Sequence, residues 1–93
     1  EQSVFAFMRS YGGEKLIFVF NMTMNYYENY DIGVFDEGEY VEIFNSDKDV
    51  YGGYNQYNGL PLVTSPGPGP ELKPYRLTLK LGSFAALILK KSK

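Results

Sequence analysis

The chain has 93 residues, enough for one small domain that can bury roughly 60 to 65% of its unfolded surface. Hydrophobic residues make up 44% of the chain and aromatic residues 17%, all of the latter tyrosine or phenylalanine. Because aromatic residues favour pleated, half-buried surfaces, this composition favours β-structure. The net charge of −2 argues against a nucleic-acid partner, since binding phosphates requires clustered lysine and arginine.

Cysteine and histidine are both missing from the sequence. The chain therefore has no disulfide framework, no cysteine-based metal site and no histidine general base, and we expect neither a metal nor a cofactor. No run approaches the roughly 18 apolar residues of a membrane span, so no membrane partner is expected. A chain without cysteine suits a reducing cytoplasm, the expected location. Since the first residue is Glu1 and not Met, we expect a fragment of a longer protein.

In chain order, the first half of the sequence predicts short antiparallel strands. Residues 4–7 and 16–20 flank a Gly-containing turn at residues 10–13, which predicts a hairpin. Residues 16–20 are apolar at every position, as in a central strand covered on both faces. Residues 30–34 and 40–44 then alternate with period two, as strands with one wet face do.

The second half of the sequence continues the pattern after a proline-rich interval. Residues 64–74 hold four prolines and predict an extended surface loop that cannot join a ladder. Residues 75–81 alternate again, and Gly82-Ser83 suits a two-residue turn, which predicts a closing hairpin with residues 84–91. The latter segment could begin a helix on propensity, but the preceding turn and strand favour a strand.

These elements predict one domain over residues 1–93, an all-β antiparallel β-sandwich with about seven or eight strands in a Greek-key-like arrangement. Apolar residues at alternate strand positions are expected to form its core. The predicted core residues are Leu16, Phe18, Phe20, Ile32, Val41, Ile43, Leu77, Leu79 and Leu87.

No catalytic residue is predicted. Paired carboxylates could run glycoside chemistry, but Asp47 and Asp49 fall in a loop, and Glu37 and Glu39 flank a turn. The sequence Asn21-Met22-Thr23 is a formal glycosylation sequon, yet it directly follows an apolar strand, so we expect it to be a coincidence.

The most distinctive segment, residues 42–58, joins a short strand to a polar, tyrosine-rich loop. Asn, Ser and Asp side chains readily bond nearby backbone groups, which predicts a role in structuring this loop. The predicted loop-structuring residues are Asn45, Ser46, Asp47, Gly52 and Gly53. Tyrosine rings beside amides could instead contact a sugar or dock on a neighbouring domain. The predicted contact residues are Tyr51, Tyr54, Asn55, Tyr57 and Asn58.

The same segment resembles the C-terminal domain of 1,4-α-glucan (glycogen) branching enzymes, members of the α-amylase superfamily. In that family a strand is followed by Asn-Ser/Thr-Asp, a Tyr/Phe-Gly-Gly turn and a further Asn. Here these appear as Asn45-Ser46-Asp47 and Tyr51-Gly52-Gly53-Tyr54-Asn55. Residues 4–23, 30–40 and 77–89 resemble the family's other strands in the same order.

The resemblance implies that the chain is an accessory domain of a larger transferase. Such enzymes carry a catalytic (β/α)8 barrel, cut an α-1,4-glucan through a covalent glycosyl-enzyme and pass the segment to a 6-hydroxyl. The segments that bear the family's catalytic Asp and Glu residues are absent here. The implied role is packing on the barrel of the same parent chain, and contact with α-glucan. The alternatives are the C-terminal domain of a debranching or cyclising relative, a free-standing carbohydrate-binding module, and a pure interaction domain.

Overall fold

The computed structural model describes residues 4–46, 58, 61–67 and 73–92. These residues form eight strands, and within the described ranges no helix is present that could span a membrane. The strands are β1 (Val4–Tyr11), β2 (Glu14–Asn21), β3 (Tyr27–Val34), β4 (Glu39–Asn45), β5 (Leu62–Val63), β6 (Ser65–Pro66), β7 (Tyr75–Leu81) and β8 (Ala86–Lys91).

The strands form two antiparallel sheets. The first sheet has five strands in the order β1-β2-β8-β4-β5, and the second has three in the order β3-β7-β6. The six longer strands each turn one face inward between the two sheets, because successive side chains of a strand point to opposite sides. The predicted antiparallel β-sandwich is confirmed.

The β1–β2 hairpin forms as predicted. Gly12 and Gly13 connect the strands with φ of +57° and +84°. Two positive φ angles match a type I′ turn, whose twist suits two-residue hairpins and which favours glycine. The turn sets the register in which Phe7 lies opposite Phe18, so outward-facing aromatic rings of the two strands meet.

The predicted closing hairpin of β7 and β8 is wrong, although both strands exist. β7 pairs with β3 and β6 in the second sheet, whereas β8 pairs with β2 and β4 in the first. The chain crosses between the sheets at residues 82–85, where the Ala85 amide donates to the Gly82 carbonyl at 3.2 Å. A Gly-containing turn marks a reversal, but the local sequence does not distinguish a hairpin from a crossover.

The beginning of the proline-rich interval joins a sheet, although the sequence predicted that it could not. Ser65 and Pro66 form β6, which pairs with Arg76 and Tyr75 of β7. A proline can occupy this position because β6 is an edge strand, where one row of amides needs no ladder partner.

The hydrophobic core confirms part of the predicted set. Ile32, Leu77, Leu79 and Leu87 are buried as predicted. The buried core consists of Ile17, Val19, Ile32, Val34, Tyr40, Leu77, Leu79, Leu81, Leu87 and Leu89.

The inward face of β2 is the opposite of the predicted one. Ile17 and Val19 are buried, while Leu16, Phe18 and Phe20 are only half-buried and point away from the second sheet. Both alternating sets are apolar, so period two alone did not identify the inward set.

The prediction that Val41 and Ile43 belong to the core is also wrong. Tyr40 points inward and is fully buried, which places Val41 on the outer face. The pairing of β4 with β8 shifts between Glu42 and Phe44, and the intervening Ile43 is exposed. This irregularity resembles a β-bulge, which reverses the alternation along the rest of a strand.

Tyr40 links the core to the loop before β4 and makes stability sensitive to alkaline pH. Its hydroxyl donates to the Asp36 carbonyl at 3.0 Å. Burial, with a smaller contribution from the nearby Asp36 charge, raises the pKa of Tyr40 from 10.0 to about 12. The folded state therefore holds this proton over a range in which the unfolded chain has lost it.

We expect the stability that Tyr40 contributes to be complete below pH 10 and lost as pH rises to about 12. The loss should amount to about 2 to 3 kcal/mol. Denaturant unfolding between pH 8 and pH 12 should show a shallower decline for Tyr40→Phe than for the unmodified chain. Tyr11→Phe, at an exposed position, is the control and should leave the decline unchanged. Equal slopes for Tyr40→Phe and the unmodified chain would contradict the assignment.

Candidate functional site

Three of the predicted site residues lie in the described part of the structure: Asn45, Ser46 and Asn58. The predicted residues outside the described ranges are Asp47, Tyr51, Gly52, Gly53, Tyr54, Asn55 and Tyr57. Their proposed roles in loop structure, sugar contact or docking remain predictions from the sequence.

Asn45 and Asn58 meet at the carboxylate of Glu42, on the inward side of β4. Glu42 Oε2 accepts from Asn45 Nδ2 at 2.9 Å, from Asn58 Nδ2 at 2.9 Å and from the Asn58 amide at 3.2 Å. Asn58 also reaches the second sheet, since its Nδ2 donates to the Lys80 carbonyl and its Oδ1 accepts from the Lys80 amide. This cluster ties the two sheets together beside residues 46–58.

One of the two carboxylate oxygens of Glu42 takes no part in this cluster. Its Oε1 is buried and has no hydrogen-bond partner among the described residues, whereas Oε2 receives three. A carboxylate with three amide donors on one oxygen is well suited to holding a chain segment in place, because such charge-assisted bonds are stronger than neutral ones.

Ser46 extends the β4–β8 pairing by one residue. Its amide donates to the Ala86 carbonyl at 2.9 Å, and the Ala86 amide donates to Ser46 Oγ at 2.9 Å. Ser46 and Asn58 thus anchor the two described positions that flank the tyrosine-rich segment.

Asn21, noted in the sequence only as part of a sequon, is a second buried polar centre. Its Oδ1 accepts from the Thr23 amide at 3.0 Å and the Thr23 hydroxyl at 2.7 Å. Its Nδ2 donates to the carbonyls of Asn25 at 2.9 Å and Gly82 at 2.8 Å. The side chain is fully buried and fully bonded, so in the folded domain it is inaccessible to glycosylation. A polar residue ending an apolar strand was the only sequence signal.

Two of the described carboxylates form ion pairs with lysines at the surface. Lys15 Nζ lies 2.9 Å from Asp36 Oδ2, and Lys90 Nζ lies 3.1 Å from Glu14 Oε2. Among the residues described, no group of three His, Cys, Asp or Glu side chains is arranged to hold a metal ion. A small cavity opens between the edge strands β1 and β3, and its lining is mainly apolar, with Tyr30, Asp31 and Lys73 as the polar side chains.

The outer surfaces of the two sheets differ in chemistry. The outer side of β7 carries Arg76, Thr78 and Lys80, and Thr78 donates to Asp31 of β3 at 2.6 Å. The outer side of the first sheet carries mainly phenylalanine side chains instead. We call the surface formed by Phe5, Phe7, Phe18, Phe20 and Ile88 the aromatic face.

Together, the two antiparallel sheets and the described side chains define a small all-β sandwich domain with a polar outer surface on one sheet and an aromatic one on the other. Residues 1–92 match the family described as the α-amylase C-terminal all-β domain, and the chain belongs to this family.

The chain is similar to known proteins over its whole length. It is 42% identical over 95 residues to the 1,4-alpha-glucan branching enzyme GlgB of Francisella philomiragia, covering 100% of this chain and 15% of that protein. It is 39% identical over 93 residues to GlgB of Bacillus subtilis, covering 97% and 14%. GlgB of Gloeobacter violaceus is 40% identical over 93 residues, covering 98% and 13%. The chain thus spans about one seventh of these relatives, and its predicted resemblance to branching enzymes is confirmed.

Proposed function

We propose that this chain is the non-catalytic C-terminal domain of a 1,4-α-glucan branching enzyme, where it packs on the catalytic (β/α)8 barrel of the same protein and stabilises it. The parent's barrel would form α-1,6 branches in glycogen synthesis. The observation that carries this proposal is the similarity to branching enzymes over the whole chain at about 40% identity.

The chemistry of the described residues supports an accessory role over a catalytic one. A glycosidase-type reaction needs one carboxylic acid and one carboxylate on either side of a substrate cleft. The half-buried carboxylate of Glu42 is instead held by Asn45 and Asn58, and Asp36 and Glu14 pair with lysines at the surface. The side chains that line the β1–β3 cavity are mainly apolar, and they include a single carboxylate, Asp31.

Contact with α-glucan is the second role open to this domain, through the tyrosines of residues 51–57. It is supported by the residue types of that segment in the sequence and by the anchoring of Ser46 and Asn58 on either side of it. The domain could then help to place long glucan chains on the parent enzyme. Docking on the barrel remains our preferred role for these tyrosines.

We expect the purified 93-residue chain to have no turnover on amylose or glycogen. Iodine staining and a reducing-end assay, compared with a buffer control and with the parent enzyme, measure this directly. Branch formation by the isolated chain above the buffer control would contradict the proposal. Sequencing the gene upstream of residue 1 provides an independent check, because an accessory domain requires an encoded barrel there.

A further inference from the structure

We propose that the aromatic face is the surface on which this domain packs against the catalytic part of the same longer protein. This inference rests on the proposed function and adds to it the location of the interface. The occupant is a largely apolar surface of the barrel domain with an acidic group near Arg9.

The composition of the aromatic face is unlike that of a solvated sheet. An antiparallel sheet with one wet face normally alternates apolar inward and polar outward residues. The second sheet follows this rule, with Arg76, Thr78 and Lys80 outward. The first sheet does not, since Phe5 is 57% exposed and Phe7 is 39% exposed.

The rings on this face are arranged in rows across the sheet. Phe7 stacks on Phe18 with ring centroids 5.3 Å apart, and Phe20 lies 6.0 Å from Phe7. Phe18 in turn pairs with Ile88 of β8. The face is therefore continuous over three strands and not a set of scattered hydrophobic residues, and continuous exposed patches of this kind mark interaction sites.

Phe84 supports the same conclusion by a separate observation. Among the non-glycine residues described, it is the one with a left-handed backbone, at φ +53°, and it is 66% exposed. Its amide donates to the Thr23 carbonyl at 2.9 Å, beside Met22, which is 57% exposed and follows Phe20 by two positions. A bulky residue at a positive φ strains the backbone, and an exposed ring buries little area in return. Within the isolated domain, glycine at this position would therefore be more stable.

The charge at the other end of the face specifies part of the partner's chemistry. Arg9 lies over the Phe7 ring at 4.9 Å, and Lys90 pairs with Glu14. An arginine beside an apolar surface is well placed to meet a carboxylate of the partner at the rim of an interface.

The longer chain is the favoured occupant because the relatives are about seven times as long as this domain. A covalently attached partner is present at high effective concentration, so a face of moderate size can remain docked. β1 is moreover an eight-residue edge strand of the first sheet, the kind of strand that proteins usually cover.

The test compares Phe5→Thr alone, which changes only the aromatic face, and the double variant Phe5→Thr/Phe84→Gly, each in the isolated domain and in the full-length parent enzyme. Threonine retains strand propensity and glycine accepts the positive φ. We expect the thermal midpoint of the isolated domain not to fall, and that of the parent to fall by about 2 to 4 °C. Cleavage between domains in limited proteolysis should become several-fold faster. Phe35→Thr, at a similarly exposed position just after β3, is the matched control. It should not lower the midpoint of the parent more than it lowers that of the isolated domain.

The outcomes separate this inference from the proposed function. If deletion of the domain lowers the parent's midpoint but Phe5→Thr/Phe84→Gly does not, the domain stabilises the barrel through another surface and the inference is wrong. If deletion leaves the midpoint unchanged, the proposed packing role fails as well. A loss of glycogen affinity at unchanged midpoint would reveal a sugar-binding face, and a loss of self-association would reveal a contact between copies. Either of these results would also overturn the inference.

Discussion

Leu79→Ala should lower the free energy of unfolding of the isolated domain by about 2 to 5 kcal/mol. Leu79 is 1% exposed and lies in β7, the central strand of the second sheet, opposite Tyr30 of β3. Removing three carbon atoms there loses burial and leaves a cavity between the sheets. For a domain of this size the loss is a large part of its total stability.

Phe18→Ala is the informative comparison because the sequence predicts the same loss at both positions. In the structure, Phe18 faces outward and is only half-buried, stacked on Phe7. We therefore expect less than half the effect of Leu79→Ala, about 1 kcal/mol from the lost stacking and packing. Denaturant unfolding of both variants measures the difference. Equal losses would mean that the outer face of the first sheet is as enclosed as the core.

Asn21→Ala should lower the free energy of unfolding by about 3 kcal/mol, because it leaves several buried groups without partners. The Asn25 and Gly82 carbonyls lose their donor, and the Thr23 amide loses its acceptor. Gly82 lies in the crossover from β7 to β8, so the side chain also joins the ends of both sheets. Thermal and denaturant unfolding of the isolated domain would measure the effect.

Asn21→Asp tests the hydrogen-bond assignment with almost no change in shape. The carboxylate would face the two carbonyl oxygens that now accept from Nδ2, so at neutral pH we expect a loss at least as large as for alanine. The loss should diminish at acidic pH, where a protonated acid can donate one bond. Asn25→Ala, whose side chain is exposed, is the control and should change stability by less than about 0.5 kcal/mol. A loss of that small size for Asn21→Asp would contradict the proposed network.

The strands and several of their connections were evident in the sequence because these signals are local. Period-two alternation identified β3, β4 and β7, and the Gly12-Gly13 pair identified the first turn. The segment around Asn45 indicated the family by its order of residue types, which needs no tertiary information. Tertiary packing does not alter such signals, and so the fold class and the family could both be predicted.

The tertiary structure decided which side of each strand faces inward. In β2 both alternating sets are apolar, so the choice of Ile17 and Val19 over Phe18 and Phe20 depended on the position of the second sheet. In β4 the irregularity at Ile43 reversed the alternation, a change that the residue types of the strand do not reveal.

The remaining differences concern contacts between residues far apart in the chain. Whether the turn at Gly82 closes a hairpin or crosses between sheets depends on pairing with β2, β3 and β4, which are distant in sequence. The burial of Asn21 likewise depends on a carbonyl 61 residues away. Local residue types determined where this chain extends and turns, whereas the arrangement of the two sheets determined which surfaces are core, since burial depends on what lies opposite.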